Sequence, residues 1–234
     1  MTGGEHAGNG GDERAGNGGD ERAEDRRLSS PGDRFGARLQ RQSSAAALQA
    51  RVIEQETHNL AEAFRLVVDD GSVTRAAATV VAARRRFVAG TGKAFAYASL
   101  LAADLSAGMS NVTLVDGAVV RPLDVLSDVR DSDVLVAVSL RRYRRETVAV
   151  AEQFAAAGGT VVAVTDAADA PLATVAAQAI VVPTGSASYA DSPTAVAAVV
   201  HLLATLTTAS AKGARRRLAE RDRISRALDL YWEG

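Results

Sequence analysis

The residues best suited to chemistry lie close together between Ser139 and Thr147, in the segment Ser-Leu-Arg-Arg-Tyr-Arg-Arg-Glu-Thr. The segment directly follows residues 133–138, an apolar run that is predicted to be a buried strand. Two hydroxyl groups, four arginines and the start of a helix at the end of a strand are typical of an anion site. Arginine side chains bind phosphate through paired donors, so phosphate is the anion that we expect.

A second anion-binding turn is predicted at Gly90, Thr91, Gly92 and Lys93. A Gly-x-Gly turn lets a ligand approach the backbone while the N–H groups of the next helix point at it. With Asp116 on the next strand, the two glycines also match a dinucleotide fingerprint, which leaves a nicotinamide-dependent oxidoreductase as an alternative. A tight turn without a ligand gives the same pattern.

Short β-branched runs alternate with Ala-rich helical segments through the middle of the chain. The predicted strands are residues 87–90, 112–116, 134–138, 160–164 and 179–182. This alternation predicts an α/β fold, a three-layer α/β/α sandwich around a five-stranded parallel sheet. The expected strand order is the flavodoxin-like 2-1-3-4-5, because right-handed crossovers must cover both faces. In that order the Gly90 turn and the Ser139 loop face one crevice.

Further helices are predicted on both sides of this unit. An N-terminal pair ends near residue 83, and an apolar helix at 194–209 precedes a charged helix at 212–232. The charged helix carries an apolar stripe that needs a partner. The predicted helix caps are Ser43 or Ser44, then Ser72, then Asp191 or Ser192.

Residues 1–42 differ in composition from the rest of the chain. The octapeptide Ala-Gly-Asn-Gly-Gly-Asp-Glu-Arg occurs at 7–14 and again at 15–22, and large apolar side chains are scarce. Such a segment cannot bury enough surface to offset the entropy lost on ordering. We therefore predict a disordered low-complexity tail over residues 1–42 and one domain over residues 43–234.

Overall composition narrows the class of protein. The chain has 234 residues, 47% of them hydrophobic, which is enough for one good core. It has no Cys, which excludes disulfides and thiolate sites and fits a cytoplasmic protein. No apolar run reaches the roughly 18 residues of a membrane span, so no membrane partner is expected. A net charge of -1 does not favour non-specific nucleic-acid binding. We predict no cofactor and no metal site.

The order of the elements and their loops resembles the sugar isomerase (SIS) domain, with Gly90-Thr-Gly92 after the first strand and Thr165-Asp166 after the fourth. Within the third loop, Arg-Arg-Tyr-x-Arg-Glu-Thr is similar to the SIS half of RpiR/MurR-type transcriptional regulators. The similarity covers roughly residues 46–232. In that family an N-terminal helix-turn-helix domain binds DNA, while the SIS domain senses a phosphosugar and dimerises.

The resemblance implies a phosphosugar-binding regulatory module that forms a homodimer or a dimer of dimers. Only about 42 residues precede the first predicted helix, fewer than a helix-turn-helix domain needs, so we expect no DNA binding by this chain. Arginines also replace the middle of the usual Ser-x-Ser-Gly-x-Thr loop. The expected ligand-binding residues are Gly90, Thr91, Gly92, Lys93, Ser139, Arg141, Arg142, Thr147, Ser186 and Ser188.

An enzymatic alternative is a sugar-phosphate aldose–ketose isomerase. Isomerisation needs a base that moves a proton between adjacent carbons, and Glu146 and His201 are the candidates. Each also has a structural interpretation, Glu146 as an acid in the first turn of a helix and His201 as a residue of an apolar helix. The oxidoreductase alternative lacks a Tyr-x-x-x-Lys proton relay. An interaction module whose site has decayed is a further alternative.

Overall fold

The computed structural model describes residues 30–36 and 44–232, and it contains a five-stranded parallel sheet. The strands are β1 (Arg85–Ala89), β2 (Val112–Val115), β3 (Asp133–Val138), β4 (Thr160–Thr165) and β5 (Gln178–Val181). Their order in the sheet is β2-β1-β3-β4-β5, and every neighbouring pair is parallel. The predicted fold class and strand order are confirmed.

Helices cover both faces of the sheet in the part of the chain that the structure describes. They are α1 (Pro31–Arg34), α2 (Ala45–Asp70), α3 (Ser72–Ala82), α4 (Ala94–Gly108), α5 (Pro122–Leu126), α6 (Arg145–Ala156), α7 (Pro171–Val175), α8 (Thr194–Ser210) and α9 (Ala214–Ala227). Helices α2, α3, α4 and α8 pack together on one face, and α6 and α7 lie on the other.

Two apolar cores explain why the strands are almost entirely apolar. Val88 and Val136 point to the core that α3, α4 and α8 complete. Phe87 and Leu135, their neighbours along β1 and β3, point to the second core, where Phe154 of α6 is fully buried. Because both faces of a parallel sheet are covered, alternation between polar and apolar residues is lost.

Ser44 caps α2, as predicted, because its side chain accepts a hydrogen bond from the backbone N of Ala47 at 3.2 Å. The prediction that Ser72 is a cap is wrong. Ser72 is the first residue of α3, and Gly71, in the left-handed conformation with φ 62°, joins α2 to α3 directly. No extended residue remains between the two helices for Ser72 to occupy. Ser43, the alternative cap, lies outside the described residues.

The predicted cap of α8 by Asp191 or Ser192 is also wrong. Pro193 is the N-cap residue, and no side chain caps this helix. Both candidate side chains bond elsewhere, Asp191 to Arg34 and Ser192 to Glu56. Both side chains therefore bond to residues that are distant in the sequence and do not cap the adjacent helix α8.

The last described helix, α9, is shorter than the predicted 212–232 and begins after Gly213, which has φ 83°. The side chains of its apolar stripe are exposed, namely Leu218, Ile224, Leu228 and Tyr231. Among the described residues, no single helix is long and apolar enough to cross a membrane, although the pair α8 and α9, bent by 105°, passes that test together.

Residues 30–36 belong to the predicted disordered tail, yet the structure places them in a turn of helix, α1. Arg34 is buried there and bonds to Asp191. Composition does not reveal this contact, and disorder of the tail stays a prediction. The rest of the predicted tail, residues 1–29 and 37–42, lies outside the described residues.

An ion pair between the partly exposed Arg85 and the buried Asp133 joins β1 to β3. Arg85 pairs with Asp133 in the ladder, and its guanidinium donates to the Asp133 carboxylate at 3.0 Å and 2.5 Å. The backbone N of Arg130 adds a third bond to that carboxylate, at 2.8 Å. Burial alone would raise the pKa of Asp133, but the bonds from Arg85 and Arg130 outweigh it and hold this pKa below its usual range.

Removal of the Arg85 side chain leaves the buried Asp133 without its cation but with the bond from the Arg130 backbone N, so Arg85→Ala should lower the free energy of unfolding by about 1–3 kcal/mol at neutral pH. Urea denaturation measures this loss. The matched control is Arg121→Ala, which breaks an exposed pair with Asp124 and should cost about 1 kcal/mol or less.

The Arg85–Asp133 pair should also make the stability of the protein depend on pH. In the wild type, the lowered pKa of Asp133 contributes stability that is present above the unfolded pKa and is lost as pH falls through the folded one. In Arg85→Ala, protonation of Asp133 relieves the unpaired charge. The stability difference between the two proteins should therefore shrink on acidification, and a difference that stays constant throughout an acid titration would contradict this role.

Candidate functional site

The predicted crevice lies where β1 and β3 end side by side. After β1 the chain turns at Gly90, where an added Cβ would lie 2.8 Å from the carbonyl oxygen of Ala94 and 3.2 Å from that of Val138. Only glycine fits this approach without a shift of the backbone. The Gly90 turn and the Ser139 loop therefore lie side by side at the switch point of the sheet, where α/β folds bind ligands, and a ligand crevice between them stays a prediction.

Two threonines join the turns across this crevice. The hydroxyl oxygens of Thr91 and Thr147 lie 2.9 Å apart, and Thr147 is buried in the first turn of α6. The structure thus brings together residues that are 56 positions apart and that the sequence analysis assigned to one site. Both hydroxyls can also donate to an anion that sits between the turns.

Ser139 is held by its backbone, while its hydroxyl has no partner among the described residues. Its N donates to the carbonyl of Val164 at 3.1 Å, and its carbonyl accepts from the Thr165 hydroxyl at 2.8 Å. Its Oγ is buried and makes no hydrogen bond to any described residue. A buried hydroxyl without a partner is costly, which makes this oxygen a natural contact for a ligand.

The arginines of the loop divide into different environments. Arg144, which the sequence analysis did not select, places its guanidinium about Gly92, with Nε 3.1 Å from the Cβ position of that glycine. Arg141 turns to Asp166, with its N 3.3 Å and its Nε 3.8 Å from one carboxylate oxygen. Arg142 is exposed. Four arginines in one short loop look alike in sequence, so no local signal selects Arg144.

Asp166 anchors the Ser139 loop to the end of β4. Its side chain is only 4% exposed, and burial raises its pKa despite bonds from Tyr143 and Arg141. Burial and the nearby Asp166 charge also raise the pKa of the Tyr143 phenol. One carboxylate oxygen of Asp166, Oδ1, is buried without a partner among the described residues.

The loop 183–192, which follows β5, contacts the Gly90 turn through Lys93 and Asp191, and α2 holds it in place. Asn59 Nδ2 donates to the carbonyl of Gly185 at 2.5 Å, and the hydroxyl of Ser192 donates to Glu56 at 2.5 Å. Asn59 and Glu56 lie on the inner face of a long amphipathic helix, and the sequence analysis did not select them. The sequence feature that could have identified them is the presence of polar residues on the apolar face of this helix.

Lys93 connects the Gly90 turn to this loop, because its Nζ donates to the backbone carbonyl of Asp191. Ser186 and Ser188 shape the same loop: Ser186 Oγ accepts from the N of Ser188 at 3.0 Å, and Ser188 Oγ accepts from the N of Ala190 at 3.4 Å. A contact of either serine with a sugar stays a prediction.

The two candidate bases are placed differently. Glu146 is exposed in the first turn of α6, next to Thr147. His201 is 72% exposed on α8, and its Nδ1 lies 3.2 Å from Asp104 of α4. Asp104 is ten residues, or about 15 Å, along α4 from the Gly90 turn. The structure therefore does not bring His201 to the crevice.

Asp116 closes its own turn. Its Oδ1 accepts from the backbone N of Ala118, Val119 and Val120 at 2.9, 2.8 and 2.9 Å. Those bonds, led by the one from Val120, lower the pKa of Asp116. The turn accounts for Asp116 without a ribose, which weakens the dinucleotide interpretation of this acid. Among the residues that the structure describes, no group of three or more His, Asp or Glu could hold a metal ion.

Solved structures of several proteins share this fold. The sugar isomerase domain of an RpiR transcription factor from Sphaerobacter thermophilus is 26% identical, with a TM-score of 0.70 over 75% of this chain and 98% of that one. NanR from Vibrio vulnificus, solved with ManNAc-6P, is 17% identical, with a TM-score of 0.66 over 83% of this chain and 73% of that one.

A phosphoheptose isomerase from Francisella tularensis is 14% identical, with a TM-score of 0.58 over 71% of this chain and 100% of that one. No curated protein is similar enough in sequence to count as a match. The family model of the SIS domain matches residues 80–211, which is more than half of the chain and contains β1 to β5 and both turns of the crevice. The chain therefore belongs to the SIS domain family.

Proposed function

We propose that this protein binds a phosphosugar in the crevice between the Gly90 turn and the Ser139 loop, and that it acts as a sensor of RpiR/MurR type. The buried and unpartnered hydroxyl of Ser139 is the observation that carries the proposal, within the part of the chain that the structure describes. A relative in fold supports the ligand class, because NanR, with a TM-score of 0.66, was solved with ManNAc-6P.

The phosphate would sit between the two turns. Thr91 and Thr147 would exchange their mutual bond for bonds to phosphate oxygens, and Ser139 would donate a further one. Helices α4 and α6 both begin at this point, and the N-terminal end of a helix favours negative charge. Lys93 bonds to a carbonyl group rather than to a carboxylate, so its charge is available to the phosphate.

The regulatory role, the assembly and the location complete the proposal. A homodimer or a dimer of dimers would cover the exposed apolar residues of the flanking helices, Ile53, Phe64 and Val68 on α2 and Leu218 and Ile224 on α9. The protein would act in the cytoplasm. A change in ligand occupancy would then be transmitted through the helices that form the interface.

A thermal-shift screen tests the binding site. Probes are hexose 6-phosphates, amino-sugar and N-acylated amino-sugar 6-phosphates, and pentose 5-phosphates. A probe at 100 times its dissociation constant should stabilise the protein by about 2.7 kcal/mol, which raises Tm by about 5–10 °C. Ser139→Ala should weaken binding about tenfold or more, because a hydrogen bond to a charged group is lost.

Thr207→Val is the matched control, because Thr207 also has a fully buried hydroxyl without a partner among the described residues but lies near the end of α8. Its binding constants should equal those of the wild type. The proposal fails if no probe shifts the wild type, or if Ser139→Ala binds every probe as tightly as the wild type does.

A second candidate function is aldose–ketose isomerisation, which the position of Glu146 beside Thr147 favours. We expect no turnover, since Glu146 is exposed to water. Incubation with aldose and ketose phosphates in D2O, followed by proton NMR, measures both turnover and exchange at the carbon next to the carbonyl. Turnover that Glu146→Gln abolishes would establish the enzyme and contradict a sensor without activity.

A further inference from the structure

Residues 30–36, which we call the strap, lie outside the SIS match yet dock beside the crevice. A capping box shapes the strap: Ser30 Oγ accepts from the N of Asp33 at 3.1 Å, and Asp33 accepts from the N of Ser30 at 3.3 Å. The ring of Phe35 lies 6.4 Å from that of Tyr189, in the loop 183–192. The strap therefore packs against this loop.

Arg34 is the main contact of the strap with the protein. Its side chain is 6% exposed and forms an ion pair with Asp191, which is 17% exposed. Its Nε is buried and has no partner in the part of the chain that the structure describes. A buried donor of a charged group rarely stays unpaired, because the loss of its water is not compensated.

Asp191 links the strap to the Gly90 turn. Its carboxylate accepts from Arg34, and its backbone carbonyl accepts from Lys93. Lys93 directly follows Gly92 of the proposed phosphate site. Arg34 is therefore connected to the Gly90 turn through a single residue, Asp191, on the side of the turn that faces the loop 183–192.

A second buried donor without a described partner is the hydroxyl of Tyr97. Tyr97, in the first turn of α4, is 5% exposed, and its OH has no described partner. Burial and the charges of Asp191 and Glu56 raise its pKa to about 12, so it keeps its proton at neutral pH. Tyr97 therefore lies within electrostatic reach of Asp191, the carboxylate that pairs with Arg34. Buried donors beside carboxylates suit sugar hydroxyls, which both accept and donate.

We propose that the strap completes the phosphosugar site, with Arg34 held by Asp191 at the sugar end of the crevice so that its Nε donates to the sugar. This inference rests on the proposed function. It adds a residue from outside the SIS match to the site, and it divides the site into a phosphate end at Thr91 and Thr147 and a sugar end at Arg34 and Tyr97.

Calorimetry with two kinds of probe tests whether the proposed site has separate phosphate and sugar ends. N-acetylmannosamine 6-phosphate, arabinose 5-phosphate and glucose 6-phosphate report both ends, and inorganic phosphate reports the phosphate end. Arg34→Ala should weaken the binding of sugar phosphates about tenfold or more and leave inorganic phosphate within about twofold. Arg34→Lys keeps the positive charge next to Asp191 but lacks Nε, so it should fail to restore binding.

Arg65→Ala is the control, because Arg65 also pairs with an aspartate but is 61% exposed on α2. Arg34→Ala with wild-type affinity for the sugar phosphates, full recovery in Arg34→Lys, or an equal loss for inorganic phosphate would each overturn the inference while leaving the proposed function standing. Absence of binding to the wild type by every probe would overturn both.

Trypsin gives a test of docking that needs no ligand. Cleavage after Arg34 requires the strap to leave Asp191, so it should be slow in the wild type and about tenfold or more faster in Asp191→Asn. The Asn variant retains the backbone carbonyl that binds Lys93. Equal cleavage rates in the two proteins would show that the strap is not held by this pair and would overturn the inference.

Discussion

The parallel pairing of β1 with β3 is the constraint on which the site depends. These strands are separated by β2 in the chain but are neighbours in the sheet, with Ala89 opposite Ala137. Two turns therefore leave these strands at one point, and the approach of Gly90 to the carbonyl oxygens of Ala94 and Val138 leaves no room for a Cβ without a shift of the backbone. At the other end of the same ladder, Arg85 pairs with the buried carboxylate of Asp133 and favours this register.

The fold was accessible from the sequence because each strand is a short β-branched run and each crossover is an Ala-rich helix. That pattern is local, and the rules of handedness leave few ways to arrange it, so the predicted strand order was confirmed. The placement of Gly90, Ser139 and Thr147 followed from the same logic, since residues just after neighbouring parallel strands must meet at one edge. Their contact with a ligand stays a prediction.

Predictions about single polar side chains succeeded less often, because their partners are distant in sequence. Asp191 bonds to a residue 157 positions away, and Ser192 to one 136 positions away, instead of capping the adjacent helix. Composition correctly marked the N-terminal region as poor in apolar residues, but it could not show that one arginine there has a buried carboxylate to bind. Such contacts depend on tertiary structure, which local sequence does not encode.

Asp191 accepts a bond from Lys93 with its backbone carbonyl and a bond from Arg34 with its side chain. The two contacts therefore depend differently on which residue occupies position 191. Any residue at position 191 supplies the carbonyl group, whereas only an acid supplies the ion pair. A single substitution at position 191 can thus remove or restore the ion pair that holds the N-terminal segment, while the core of the domain is unchanged. Under the proposed role of the strap, a shared SIS scaffold would diversify in its ligands by recruiting residues from outside the part that matches the family.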